Sequence, residues 1–138
     1  MTDTQDELMF GATQYELVSE FREKFGIDYH GPVRQLPGDV YELQVKRLYE
    51  ELREYQDASH ANDRAGQLDA LVDLIYIALG TAELHGFDRF DEAFMEVHRA
   101  NLKKLRAGPN GEGSKYLNPN DIYKPPGWAA PDLNKFVK

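Results

Sequence analysis

The stretch Leu68–Gly80, LDALVDLIYIALG, decides how this 138-residue chain folds. Its apolar residues do not alternate, and they are not confined to one side. At helical periodicity they occupy nearly the whole circumference. With Asp69 set at zero, Asp73 falls at about 40°, Tyr76 at about −20° and Gly80 at about 20°. One narrow polar stripe therefore runs along an otherwise apolar helix. Buried carboxylates are costly unless they are paired or hold a cation. Gly80 on the same stripe leaves room for the close approach of another group. The stretch predicts a core helix over about residues 66–85 that carries an acidic seam.

Three more helical segments flank it. Leu8, Tyr15, Val18, Phe21 and Phe25 recur at helical spacing, which predicts a helix over roughly 5–24, stopped by Gly26 and the DYHGP stretch. A second is expected over about 39–60, with Asp39 as its N-cap after Pro37 and Gly38. A fourth is expected over about 89–106, opened by Asp88 or Arg89 and closed by Gly108 and Pro109. The link between the second and third is only a few residues, so these two should be antiparallel neighbours. No two-residue alternation argues for a sheet, and the expectation is an all-α fold. Residues 107–138 hold nine of the eighteen glycines and prolines, so the chain is read as a helical body over 1–106 and an extended, irregular tail over 107–138. The tail is expected to pack on its own or a neighbouring subunit. The all-round apolar third helix asks for more neighbours than a short single chain supplies, which points to an oligomer.

Composition narrows the function. Twenty-four acidic against sixteen basic side chains give a net charge of −8, which argues against a partner built on a nucleic-acid backbone. The absence of cysteine removes disulfides, thiolate zinc sites and cysteine nucleophiles. The opening MTDTQDELMF is acidic and polar, without the pattern of a leader peptide. The most apolar run, Leu74–Leu79, is too short to span a bilayer. The expectation is therefore a cytoplasmic protein with no membrane partner.

A second acidic stretch, YEELREY at 49–55, lies on the helix expected to pair with the first. Glu50 and Glu54 share a face, and Glu51 sits toward the apolar side formed by Leu48, Leu52 and Tyr55. Glu51 and Glu54 can also converge. Carboxylates this close oppose one another without a cation. Glu50, Glu51, Glu54, Asp69 and Asp73 are thus candidate metal ligands. An all-oxygen donor set favours Mg²⁺ or Mn²⁺. The plainer alternative is a solvated face, with Asp69 acting as a cap or pairing with Arg64 or Lys46. Asn101 and Lys104, three apart, are candidates for binding phosphate. Lys103, Lys104 and Arg106 also suit a helix C-terminus on dipole grounds. Lys124 and Trp128 are near one another in the tail, where the indole either stacks on a base or anchors the tail in a groove. There is no GxxxxGKS, GxGxxG or HExxH pattern, and GPNGEG at 108–113 reads as a turn-rich linker.

Taken in order, four stretches resemble the MazG-like, all-α nucleoside triphosphate pyrophosphohydrolases of the phosphoribosyl-ATP pyrophosphohydrolase-like superfamily. They are the EExxE string at Glu50, Glu51 and Glu54, DALVDLIYIALGTAELHGFD at 69–88, VHRANLKK at 97–104 and KPPGWAAPDL at 124–133. The last resembles the tail of small, phage-type purine members that act on dGTP. The resemblance implies a four-to-five-helix bundle assembled as a homo-oligomer, with a tetramer favoured over a dimer. It implies one to three Mg²⁺ or Mn²⁺ ions per site. It also implies hydrolysis of a nucleoside triphosphate, here dGTP or GTP, to the monophosphate and pyrophosphate.

By the same resemblance Glu51, Glu54 and Asp73 hold the first ion with Asp69 assisting, and Glu50 serves a second. Glu50 or Glu51 takes the proton of the attacking water, while Lys104 and Lys124 offset charge on the phosphates. Asn101 and Trp128 complete the substrate contacts. The family's second acidic motif is ExxD; here Ala70 stands three residues before Asp73, and Asp69 is the replacement. The alternatives are a dUTP or modified-nucleotide house-cleaning enzyme, and a non-enzymatic helical oligomerisation or regulatory module with a structural metal site.

Overall fold

Side-chain caps open two of the helices in this chain. The structure, a computed structural model, describes residues 11–138. The Thr13 side chain accepts from the Glu16 backbone N–H at 3.2 Å and opens α1, Gln14–Lys24. Residues 11–13 are not helical, so a single helix from about residue 5 is corrected to a start at Gln14; Leu8 lies outside the described residues. Helix α2 spans Gly38–His60. Its N-cap is Pro37, and Asp39, expected as the cap, instead lies in the first turn, where its charge favours the positive end of the helix. Helix α3 spans Arg64–Leu84, capped by the Asp63 carboxylate, which accepts from the Gly66 N–H at 3.0 Å.

Left-handed residues close these helices. Gly26 (φ 67°) lets the Ile27 N–H reach the Arg22 carbonyl at 3.0 Å, and Gly86 (φ 81°) lets Phe87 reach Ala82 at 3.1 Å. A side chain at Gly86 would meet the Gly31 and Pro32 carbonyl oxygens at 3.0 Å. Only residues 61–63 separate α2 from α3, so the two run antiparallel, and Gln44 near the start of α2 donates to the Thr81 hydroxyl near the end of α3 at 2.9 Å. The connector between α1 and α2 is pinned across the end of α3. Arg34 donates from its backbone N–H to the His85 carbonyl and from Nε to the Leu84 carbonyl, both at 2.9 Å. Those carbonyls have no partner within the helix, and Arg34 supplies one.

The described residues form two compact units, divided after Asp88. In the first, α3 packs against both α1 and α2. Val18, Ala70, Leu79, Ala82 and Leu84 are buried there. Leu68, Leu71, Val72 and Ile75 on another face of α3 remain exposed. Helix α3 is long and apolar enough to cross a membrane by length and composition alone. It also carries Asp69, Asp73 and Glu83, each costly in hydrocarbon.

The second unit holds α4, Phe90–Asn101, and a two-stranded antiparallel ribbon of β1, Leu105–Arg106, and β2, Ile122–Tyr123. A short 3₁₀ turn, Asn134–Phe136, follows. The fourth helix therefore stops at Asn101 instead of running to 106, and the ribbon is a minor addition to the expected all-α fold. At the stop the Lys103 and Lys104 N–H groups turn back to the Ala100 and Asn101 carbonyls, both at 3.1 Å, and the Trp128 indole N–H adds a second bond to the Ala100 carbonyl at 2.7 Å. The loop that joins the strands is organised by buried Ser114. Its hydroxyl donates to Asp121 Oδ2 at 2.7 Å and accepts from the Tyr116 N–H at 3.1 Å. Strands of two residues are too short to show any alternation in sequence.

Candidate metal centre and its cleft

The antiparallel pairing of α2 and α3 sets the register of the acids. Glu51, Glu54 and Asp73 each offer a carboxylate oxygen, and these oxygens lie within 4.8 Å of one another. Glu51 and Asp73 are half-buried and Glu54 is exposed. The electrostatics follow from that placement. Burial, then the hydrogen bond and charge of Glu54, then the charges of Asp73 and Asp69, push Glu51 up to about 7. Burial, followed by the charges of Asp69 and Glu54, raises Asp73 in the same direction. Asp69 is exposed and stands outside the three-residue group, yet its charge acts on both half-buried acids. Glu50 is exposed and faces the adjoining cleft.

Among the described residues, Glu51 Oε2 is buried with no hydrogen-bond partner. A buried, unpartnered carboxylate oxygen among two more carboxylates is poorly placed as a structural group. It is well placed as a ligand. The donor set is oxygen only and fits a hard divalent cation. A second group, Glu23, Asp28 and His30, is exposed throughout, and His30 Nε2 sits 3.3 Å from Glu23 and 3.0 Å from Asp28. It leaves no buried oxygen unsatisfied.

The acids open onto a cleft of about 560 Å³ between α1, α2 and α3. Glu50, Glu51 and Asp73 line one side of it. Phe21 and Tyr76, in edge-to-face contact with centroids 5.3 Å apart, supply an apolar wall. Gln44, Arg22 and Arg47 complete the polar lining. Arg22 is buried, with Nε 3.0 Å from Glu83 Oε2 and Nη2 donating to the Ile27 carbonyl at 2.9 Å. Ser19 donates its hydroxyl to the other oxygen of Glu83.

Sequence reading missed Arg22, Glu83 and Arg47. The signal for Glu83 was on the wheel, since it falls at about −40° from Asp69, on the same polar stripe. Arg22 carried no signal, because its partner Glu83 is far away in sequence. Gly80, expected to admit another group, admits Arg22: a Cβ there would lie 3.2 Å from Arg22 Nη1.

The second unit gathers the remaining candidates. Asn101 is the last residue of α4, and Lys104 lies beyond the helix end, so the shared helical face expected for them is corrected. Lys104 and Lys124 both place their ammonium groups over the Trp128 ring, at 5.2 and 5.1 Å from its centroid. With its N–H on Ala100, Trp128 is an anchor within its own unit. Ile27 is exposed and is not part of the cleft lining.

With this geometry in hand, comparison with known proteins gives one family. Residues 34–101 match the phosphoribosyl-ATP pyrophosphohydrolase family. The matched stretch contains α2, α3 and α4, and with them all five candidate acids. No curated protein matches the chain.

Proposed function

We propose that this chain, whose residues 34–101 match the phosphoribosyl-ATP pyrophosphohydrolase family, is a metal-dependent nucleoside triphosphate pyrophosphohydrolase of the MazG-like superfamily. The observation that carries the reading is the convergence of Glu51, Glu54 and Asp73, with an orphaned carboxylate oxygen, at the edge of a cleft large enough for a nucleotide. Glu51, Glu54 and Asp73 would hold Mg²⁺ or Mn²⁺, with Asp69 one turn from Asp73 supporting them. Such a cation supplies Lewis acidity at a phosphate oxygen and lowers the pKa of water.

The chain's own groups do the rest. Glu50, at the cleft and outside the three-residue group, accepts the proton of the attacking water, and Glu51 shares that role. Phe21 and Tyr76 offer apolar ring surface to a base. Hydrolysis between the α and β phosphates yields a monophosphate and pyrophosphate. Guanine, as dGTP or GTP, is the base we propose, and Asn101, Lys104 and Lys124 are proposed to face the phosphates in the assembled oligomer. The assembly we propose is a homo-oligomer, tetrameric in preference to dimeric, in the cytoplasm. We take residues 1–106 as the catalytic body and residues 107–138 as the tail that packs on the same or a neighbouring copy.

The test is phosphate release over a panel of ribo- and deoxynucleoside triphosphates with Mg²⁺ or Mn²⁺, coupled to added pyrophosphatase. The expected result is monophosphate production, fastest with dGTP or GTP. A preference for dUTP would move the base while keeping the chemistry. No turnover of any nucleotide by folded, metal-binding protein would leave only a structural metal site. Asp73→Asn should cut turnover at least about a hundredfold, the scale of losing a group that acts at the reacting phosphate, with helical content kept.

A further inference from the structure

The cleft beside the acids holds two guanidinium groups whose charges face the same space. Arg22 is anchored from behind by the ion pair of its Nε with Glu83 Oε2 at 3.0 Å and by the Ile27 carbonyl, which accepts from Nη2. Nη1 has no hydrogen-bond partner among the described residues, and it sits over Gly80, where the missing side chain lets it approach. Arg47 lines the same cleft and makes no ion pair among the described residues, although Glu50 is only one helical turn away. Its positive charge acts on Arg22. Glu83 meets the Arg22 charge from behind and Arg47 makes no ion pair among the described residues, so an anion in the cleft is attracted by both guanidinium groups. The cleft therefore has a cation-seeking side and an anion-seeking side.

We propose that Arg22 and Arg47 form the polyphosphate-binding subsite of this cleft, beside the carboxylates that hold the cation. The proposal rests on the pyrophosphohydrolase reading for the identity of the ligand, and on the cleft alone for its chemistry. Arginine suits the task because its planar fork donates to phosphate oxygens two at a time. Arg22 is the fixed half, held by the buried Glu83 and Ser19. Arg47 is the exposed half. Gly80 is a positioning residue that acts through Arg22.

The test uses the full chain and inorganic tripolyphosphate, a probe with no base. Calorimetric titration in saturating Mg²⁺ should show binding to the parent protein. Arg47→Gln should weaken it at least about tenfold, the scale of one charge-assisted hydrogen bond. Arg47→Lys should fall between the two. Gly80→Ala, which crowds Nη1 without removing a charge, should weaken it in the same direction. Mn²⁺ titrated alone should bind all variants as tightly as the parent, or tighter where a cation has been removed. Equal tripolyphosphate affinity in parent and Arg47→Gln overturns the subsite, as does loss of Mn²⁺ affinity in the same variant. Nucleotide turnover by the parent separates the two readings. Turnover with Arg47→Gln unimpaired in KM removes the subsite and keeps the enzyme. Arginine-dependent tripolyphosphate binding without any turnover removes the enzyme and keeps the subsite.

Discussion

Glu51 concentrates the electrostatic strain of the metal-free site. Its carboxyl is pushed from its ordinary 4.5 up to about 7, chiefly by burial and then by Glu54. The unfolded chain releases that proton near the ordinary value, and the folded chain keeps it to about pH 7. Between those values the folded state binds more protons, so stability falls as pH rises through the window. Asp73, raised by burial and by Asp69, adds to the fall in the same direction. Denaturant unfolding in EDTA should therefore show a lower midpoint at pH 8 than at pH 5, with a smaller drop in Glu51→Gln. At pH 8 that variant should be more stable than the parent by about 0.5–2 kcal/mol, as expected where a strained functional group is removed. It should also lose metal binding and turnover. A pH-independent midpoint in the parent would contradict this account of Glu51. Metal binding should release protons and tighten as pH rises toward 8.

Helices show why some of this was legible in sequence and some was not. The polar stripe of α3 was readable, because periodicity alone places Asp69, Asp73, Tyr76 and Gly80 on one line. The pairing of α2 with α3 was readable from a link too short for any other arrangement. The end of α4 was not. Its pattern continues through Lys104, but past Asn101 the Lys103 and Lys104 N–H groups turn back to Ala100 and Asn101, and the Trp128 indole reinforces that turn from 28 residues away. Arg22 was hidden for the same reason, since a basic residue on an amphipathic helix looks solvated until Glu83 arrives from α3. Trp128→Phe keeps the ring and removes the N–H. It should destabilise the second unit by about 0.5–1.5 kcal/mol, the net worth of one hydrogen bond, because the Ala100 carbonyl keeps the Lys103 N–H at 3.1 Å. Hydrogen exchange should show it as faster exchange at the C-terminal turn of α4 and in the ribbon. Unchanged protection there would mean that the end of α4 does not depend on the indole.

At the scale of the molecule, charge and apolar surface are distributed unevenly. The first unit, Met1–Asp88, has seven basic and eighteen acidic side chains, and the second, Arg89–Lys138, has nine basic and six acidic. A second copy approaching the first unit meets net repulsion over most of its surface. One uncharged part of that surface is the stripe of Leu68, Leu71, Val72 and Ile75 on α3, which is 43–65% exposed. Exposed apolar side chains one turn apart on a helix form a seam that an identical seam can cover around a twofold axis. A second copy of this chain is the occupant proposed here, because an uncharged stripe is where two copies of such an acidic unit meet at least electrostatic cost. Val72→Glu places a carboxylate at the centre of that stripe. Sedimentation equilibrium should show the parent as an oligomer and the variant as a smaller species, with helical content unchanged by circular dichroism. High salt should not rescue the variant, because burying the new charge, rather than long-range repulsion, sets the cost. If the variant sediments like the parent, the copies meet through some other face, and the exposed stripe of α3 is not what holds them together.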